Sequence, residues 1–257
     1  MLNGLRYYLL RHKLNPLISR VFHHYQANKD NPLIVSGSIP VLFFGDLEAY
    51  SKSKTKIITV ALNPSDKEFD EPRFYTSADV YNNHGKYIAA LSAYFKRNPY
   101  RRWFDNYEKL LQRLNASYYP EEGRPDFIST QIEKPKVQNR VLHTDICSPL
   151  ATSQTWSKIK SKEDRAFRTK LEKEGIQIWF QLAGTLKPDI ILISGAKSFC
   201  DYFNISWEEV ILPDDFDRTH KMSRGRFNGS AIYWLSGKNT PLSFKDNQLE
   251  TVARLID

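Results

Sequence analysis

Residues 56–63 read KIITVALN, an apolar run that ends in an amide and is followed at once by Pro64. A run of this length that is rich in β-branched residues predicts a buried strand. Three further apolar runs, at residues 141–145, 190–194 and 232–235, predict strands of the same kind. Amphipathic stretches alternate with these runs, which predicts a three-layer α/β/α fold with a central parallel sheet. In such a sheet the ligand site lies beyond the carboxyl ends of the strands.

Stretches with helical periodicity predict the helices that cover the sheet. The stretches with this periodicity are residues 2–26, 86–96, 103–114, 162–186 and 197–203. Residues 33–44 predict an edge strand, and the proline-containing residues 117–139 predict a long loop. Because no linker or internal repeat divides the chain, we expect a single domain over residues 1–257, with residues 1–28 as a helical extension packed on it.

Composition narrows the class of protein. The chain has 257 residues, of which 41% are hydrophobic and 26% charged, and this balance is typical of a globular domain. It has no signal-peptide pattern and no apolar run long enough for a membrane span, so we expect a cytoplasmic protein without a membrane partner. Cys147 and Cys200 are too few for a zinc or iron–sulfur site, and we expect two free, buried thiols. A formal net charge of +8 favours a polyanionic partner, although ordinary surface charge is an equal alternative.

Polar residues follow each of the four apolar runs. The first ends in Asn63-Pro64-Ser65-Asp66, the second in Asp145 and the third in Gly195, while residues 236–243 (SGKNTPLS) follow the last. The sequence contains no Walker loop, no G-x-G-x-x-G, no G-x-S-x-G and no H-E-x-x-H. These absences argue against nucleotide hydrolases, dinucleotide-dependent dehydrogenases, serine hydrolases and zinc proteases.

The order of these segments resembles that of the uracil-DNA glycosylase superfamily. Residues 61–64 (ALNP) are similar to the family's first motif, Gly-x-Asp-Pro or Gly-x-Asn-Pro after an apolar strand. Residues 238–243 (KNTPLS) are similar to its last motif, a His-Pro-Ser-Pro-Leu-Ser-like loop. Residues 141–149 resemble its base-recognition strand, and residues 188–196 its next strand and the following helix start. The resemblance covers about residues 45–244, with alanine in place of the usual glycine and lysine in place of the usual histidine.

The resemblance implies a monofunctional DNA glycosylase that uses no metal or cofactor. Such an enzyme flips a base out of the stack and hydrolyses its N-glycosidic bond, leaving an abasic site. Asn63 would position the attacking water, and Lys238 would bring a cation to the departing base or the nearest phosphate. An amide holds a water but cannot take up its proton, so we expect slow chemistry. Asp66 and Asp46 are candidate bases, each of which is equally a candidate helix cap.

Asp145 corresponds in this resemblance to the residue that reads the polar edge of the flipped base, which is commonly asparagine. An ionised carboxylate only accepts hydrogen bonds. Cytosine presents its N4 amino group as a donor, so Asp145 favours a cytosine-type base over uracil. The alternative is a strand-end aspartate that pairs with Arg140 or His143.

Three other positions bear on the base. Ser65 stands where strict uracil enzymes have a tyrosine that blocks substituents at C5, and the small side chain leaves room for such a group. Phe69 or Phe74 would stack on the flipped base, although either is also a candidate core residue.

Contacts to DNA form a further group of expectations. Leu242 matches the apolar wedge that fills the vacated stack. Hydroxyl donors to the phosphates would come from Ser148, Thr152, Ser153 and Ser243, and Thr240 is a further DNA-binding residue. We expect a monomer that binds duplex or single-stranded DNA.

A site in which Asp145 reads the polar edge of cytosine and Ser65 leaves room at C5 predicts a C5-modified cytosine as substrate. Excision of ordinary cytosine would damage the host genome. Such bases occur in foreign (phage) DNA, which suggests antiviral defence. The alternatives are a uracil or mismatch repair glycosylase, a catalytically weak module that binds modified bases, and a protein of RNA processing.

Overall fold

The computed structural model describes residues 2–69, 78–97, 102–118, 140–154, 156–214, 216, 218–236 and 244–256. The chain has an α/β fold in which helices flank a mixed, mostly parallel sheet of six strands. The strands are β1 (Ile57–Ala61), β2 (Val141–Asp145), β3 (Ile190–Ser194), β4 (Glu208–Val210), β5 (Lys221–Phe227) and β6 (Ser230–Ser236). Their order in the sheet is β2-β1-β3-β6-β5-β4.

Strand directions change across the sheet. Strands β1, β3 and β6 run parallel, whereas β5 pairs antiparallel with both β6 and β4. The four strands predicted from apolar runs are confirmed, but the prediction of a parallel sheet holds only in part. Asn228 and Gly229 join β5 to β6 and have positive φ angles of 49° and 88°. An Asn-Gly pair with both φ values positive is typical of the tight turn of a β-hairpin, which reverses the chain direction.

The helices are α1 (Leu2–Gln26), α2 (Leu47–Lys52), α3 (Ala78–Asn82), α4 (His84–Ser92), α5 (Tyr94–Arg97), α6 (Arg102–Tyr118), α7 (Lys162–Leu186) and α8 (Asp246–Leu255). The long helices α1 and α7 have the predicted bounds. The stretch predicted as helical over residues 86–96 is helical but divided, because the chain turns at Ala93 between α4 and α5. The stretch predicted as residues 197–203 forms a 3₁₀ helix, Lys197–Tyr202.

The edge strand predicted over residues 33–44 is also wrong. This segment makes only two isolated antiparallel bridges, Ile34 with Thr152 and Phe44 with His143. Pro40 lies between them and has no backbone N–H to donate, and Gly37 has a φ of 70°. The backbone therefore cannot continue a regular ladder from one bridge to the other.

Contacts group the chain into two compact units, and the prediction of a single domain stays a prediction. The first unit comprises Met1–Lys52, Ala61–Tyr94 and His143–Lys187. Its helix α1 packs against α7, α2 and α4, and buries Leu14, Ile18 and Val21 completely. The helix that periodicity predicts over residues 2–26 is therefore present, and its buried face packs within the first unit.

Helix α7 approaches the backbone of the first unit most closely at Gly175. A Cβ atom at this position would lie 2.0 Å from the carbonyl oxygen of Cys147 and 2.8 Å from the Cα atom of Ser148. Only glycine fits this approach, which fixes the loop that follows β2 against the helix.

The second unit comprises Ser53–Val60, Phe95–Leu142 and Pro188–Asp257. All five residues of β3 are buried, as expected for a central parallel strand. Helix α6 packs against α8, where Arg113 lies 3.1 Å from the carboxylate of Glu250 and 3.7 Å from that of Asp246. None of the helices in the described part of the chain combines the length and apolarity needed to cross a membrane.

Candidate functional site

The residues that follow β1 and β2 are joined by backbone hydrogen bonds within the first unit. Ile146 N–H donates to the Ala61 carbonyl at 2.9 Å, and Cys147 N–H donates to the Leu62 carbonyl at 2.8 Å. These bonds extend the pairing of the two strands beyond their ends. They position the segments that contain the first predicted catalytic residue, Asn63, and the predicted base-reading residue, Asp145.

The amide of Asn63 has a defined orientation. Its Nδ2 atom donates to the carbonyl oxygen of Pro64 at 3.0 Å and to Oγ1 of Thr152 at 3.2 Å. A carbonyl oxygen only accepts, and the Thr152 hydroxyl already donates to the Gln154 carbonyl at 2.8 Å, so both partners require the NH₂ group on their side. The Oδ1 atom of this half-buried side chain therefore remains as an acceptor with no donor among the described residues.

Thr152 and Ser148 are placed differently from the expectation that they donate to DNA phosphates. Thr152 is 3% exposed, and its hydroxyl proton is committed to the Gln154 carbonyl. Ser148 is completely buried, and its hydroxyl exchanges hydrogen bonds with the backbone of Leu150. Both hydroxyl groups hold the loop after β2 in shape, and neither is presented to a phosphate.

Asp145 and His143 lie on the same face of β2. The Asp145 side chain is only 2% exposed, and its Oδ1 atom lies 3.9 Å from Nε2 of His143. Burial lowers the pKa of His143 to about 3, so the imidazole is neutral at physiological pH. The contact between His143 and Asp145 therefore involves an uncharged ring. The alternative role of Asp145, a strand-end residue that caps a turn or pairs with Arg140 or His143, stays a prediction. The backbone of Phe44 forms two hydrogen bonds with the backbone of His143, at the edge of β2 that does not face β1.

Ser65 and Asp66 form a local turn immediately after Asn63 and Pro64. The exposed Ser65 hydroxyl donates to the Asp66 carboxylate at 3.0 Å and accepts from the Lys67 N–H at 3.2 Å. The same carboxylate accepts from the Lys67 N–H at 2.9 Å. Phe69 ends this turn and is half-buried. Asp46, the other candidate base, accepts from the N–H groups of Glu48 and Ala49 at the start of α2.

The remaining predicted site residues, Phe74, Lys238, Thr240, Leu242 and Ser243, lie outside the described residues. Cys147 and Cys200 are buried and form no disulfide bond, as predicted. In the ranges that the structure describes, no three or more His, Cys, Asp and Glu side chains are grouped to hold a metal ion.

Sequence reasoning did not find the link between Thr152 and Asn63. The two residues are 89 positions apart, and no local pattern signals a contact of this kind.

Comparison of the chain with protein-family models, curated proteins and solved structures finds no match.

Proposed function

We propose that this chain is a monofunctional DNA glycosylase of the uracil-DNA glycosylase type. The observation that carries the proposal is the fixed amide of Asn63, whose Oδ1 acceptor stands at the end of β1, while the buried carboxylate of Asp145 ends the neighbouring β2. A water-positioning group and a base-reading group on adjacent strand ends are what base excision requires.

Asn63 acts on the water. A water molecule that donates a hydrogen bond to Oδ1 keeps a lone pair for attack on the sugar carbon. The C–N bond breaks and the base leaves with the bonding electron pair, the water oxygen bonds to the carbon, and the proton that this oxygen then loses to solvent is balanced by protonation of the departed base. Thr152 is a positioning residue in this scheme, because its hydroxyl accepts from Nδ2 and so keeps Oδ1 turned away from the loop. Such an arrangement lowers the barrier mainly by placing the water, since an amide does not remove a proton.

Asp145 acts on the base. Because its side chain is 2% exposed, a base reaches it only by leaving the helical stack and entering the protein. In this scheme the carboxylate accepts a hydrogen bond from the N4 amino group of a cytosine-type base, which is a donor that uracil lacks.

The substrate proposed is a cytosine with a substituent at C5, as in foreign (phage) DNA, and the role is antiviral defence. Ser65 supports this choice, because its exposed hydroxyl is used within its own turn and its short side chain places no bulky group at this position. A group at C5 would supply binding energy that plain cytosine lacks.

The test is a panel of duplexes, each with one modified pyrimidine, incubated with the protein and scored for alkali-labile strand breaks. We expect breaks at a C5-modified cytosine and none at unmodified cytosine. Asn63→Ala should lower the rate of base release at least about a hundredfold with DNA affinity retained, because water placement matters chiefly in the transition state. Near wild-type release by this variant would refute the role of Asn63.

Matched variants separate positioning from folding. Thr152→Val removes the acceptor for Asn63 and should slow base release about tenfold, whereas Thr152→Ser keeps the hydroxyl and should retain the rate. Thr169→Val makes the same change at an exposed position of α7 and serves as the control. Asp145→Asn should shift the preference from cytosine-type to uracil-type bases.

A second candidate function is a binding module for modified bases that lacks catalysis. It is favoured by one observation: the carboxylates of Asp66 and Asp46 are both engaged in local caps, and neither is free to act as a base. Saturable binding of a modified duplex without strand breaks, at any enzyme concentration, would establish this candidate in place of the first.

A further inference from the structure

A cleft of about 470 Å³ lies between α1 and α7 in the first unit. Its volume falls within the range of about 300–1,000 Å³ that is usual for small-molecule sites. Most of its lining residues are basic or hydrogen-bonding, although apolar atoms form most of the wall surface: Arg20, His23, His24 and Asn28 from α1 and the turn after it, and Lys170, Lys173, Glu174 and Gln177 from α7.

His24 is a buried donor without an acceptor in this wall. Asn28 directs its Oδ1 to the ammonium group of Lys170 at 3.3 Å, which turns its NH₂ group to the carbonyl oxygen of His24 at 2.7 Å and to Nδ1 of the ring at 3.3 Å. Nδ1 is therefore an acceptor, and the proton of the neutral ring is on Nε2. His24 is 7% exposed, and its Nε2 has no hydrogen-bond partner in the part of the chain that the structure describes. A buried donor of this kind is costly unless an acceptor meets it.

The charges around His24 favour an anion as that acceptor. Glu174 is the one carboxylate among the residues that line the cleft, and both Nε and Nη2 of Arg20 contact its Oε1 at 2.8 Å. This pairing leaves the ammonium groups of Lys170 and Lys173 uncompensated. Lys173 has no ion-pair partner among the described residues, and Lys170 contacts only the amide oxygen of Asn28.

We propose that this cleft binds a small phosphate monoester, of the size of a nucleoside monophosphate. The phosphate lies between the ammonium groups of Lys170 and Lys173. Nε2 of His24 is covered in the structure, and it donates to the phosphate once a neighbouring side chain of the cleft gives way. The polar side chains of His23 and Gln177, together with Ala27, line the remaining volume for the organic part of the ligand. This site is separate from Asn63 and Asp145 and does not depend on glycosylase activity.

The experiment is isothermal titration of the full chain with inorganic phosphate and with adenosine 5′-monophosphate at low salt. We expect saturable binding of both, with the nucleotide binding more tightly. Lys173→Gln should weaken both at least about tenfold, because it removes a charge-assisted contact. Lys162→Gln makes the same change of charge at the start of α7 and should alter affinity less than about twofold. Glu174→Gln removes the lining carboxylate and should tighten binding severalfold.

Absence of saturable binding, or equal losses in the two lysine variants, would overturn the proposal. A short duplex DNA, followed by fluorescence anisotropy, distinguishes the two sources of a phosphate group. The small-ligand site predicts that Lys173→Gln and Lys162→Gln weaken duplex binding to the same small extent. A tenfold loss confined to Lys173→Gln would instead assign the cleft to the nucleic-acid backbone and reject the small ligand.

Discussion

Polar groups on one side of α7 are buried in close packing, whereas those on the other side are partly exposed to solvent. On one side Gly175 brings the helix against the backbone of Cys147, and the buried Trp179 donates from Nε1 to the hydroxyl of Thr144 at 3.0 Å. On the other side Glu174 and Arg20 form an ion pair whose side chains are 37% and 31% exposed.

This difference matches the two sites that α7 borders. The loop after β2 is fixed by close packing and by hydrogen bonds without solvent, which suits a site that must hold a water and a base in one geometry. The α1–α7 cleft is bordered by long, partly exposed charged side chains, which adjust to a ligand at little cost. Substitutions on the packed side should therefore affect folding strongly, and those on the cleft side should affect chiefly binding.

The largest effect is expected for Gly175→Ala. Its Cβ would meet the Cys147 carbonyl at 2.0 Å, and because the obstacle is backbone the helix or the loop must move. We expect a loss of about 3 kcal/mol or more in the free energy of unfolding, at the upper end of the cost of overpacking. Urea denaturation followed by circular dichroism measures it.

Gly184→Ala is the matched control on the same helix, because nothing lies within 4 Å of a Cβ at that position. It should leave stability unchanged or raise it by up to about 1 kcal/mol, since alanine is the better helix former. Similar midpoints for the two alanine variants would contradict the close approach at Gly175.

A smaller effect is expected from the titration of His143. The unfolded imidazole binds a proton near pH 6.5, whereas burial lowers the folded pKa to about 3. Between these values unfolding takes up a proton, so the free energy of unfolding falls as the pH is lowered through that window. The loss due to this group is about 2 kcal/mol from pH 7 to pH 5.

Urea denaturation at several pH values measures this dependence. His143→Gln removes the group and should flatten the dependence, while His12→Gln, at an exposed position of α1, should leave it unchanged. An unaltered slope in His143→Gln would show that the ring does not remain neutral in the folded protein.

Local patterns predicted most of the fold, and long-range contacts account for what they missed. The bounds of α1, α7, β2 and β3 follow from periodicity within each segment. The β5–β6 hairpin was missed although its Asn-Gly turn, Asn228-Gly229, is a local signal. The predicted edge strand over residues 33–44 failed because apolar composition alone does not provide a continuous set of donors.

The candidate site was predictable only where its residues follow strands. Asn63 and Asp145 could be located in this way, whereas the amide orientation depends on Thr152, which is 89 residues from Asn63. The cleft depends on a contact between Asn28 and Lys170, which are 142 residues apart. No local sequence pattern connects residues this far apart, so both features arise only in the folded chain.

The smallest effect is expected for Glu174→Gln, and it sharpens the contrast between the two sides of α7. The pair with Arg20 is about one-third exposed, so solvent screens the attraction and ordering two long side chains offsets much of it. We expect the free energy of unfolding to change by less than about 1 kcal/mol, and by still less in high salt. The measurement is urea denaturation at low and high ionic strength, beside Gly175→Ala one residue away. A loss as large as that of Gly175→Ala would mean that the cleft is held as rigidly as the packed side, and that its charges support the fold rather than await a ligand.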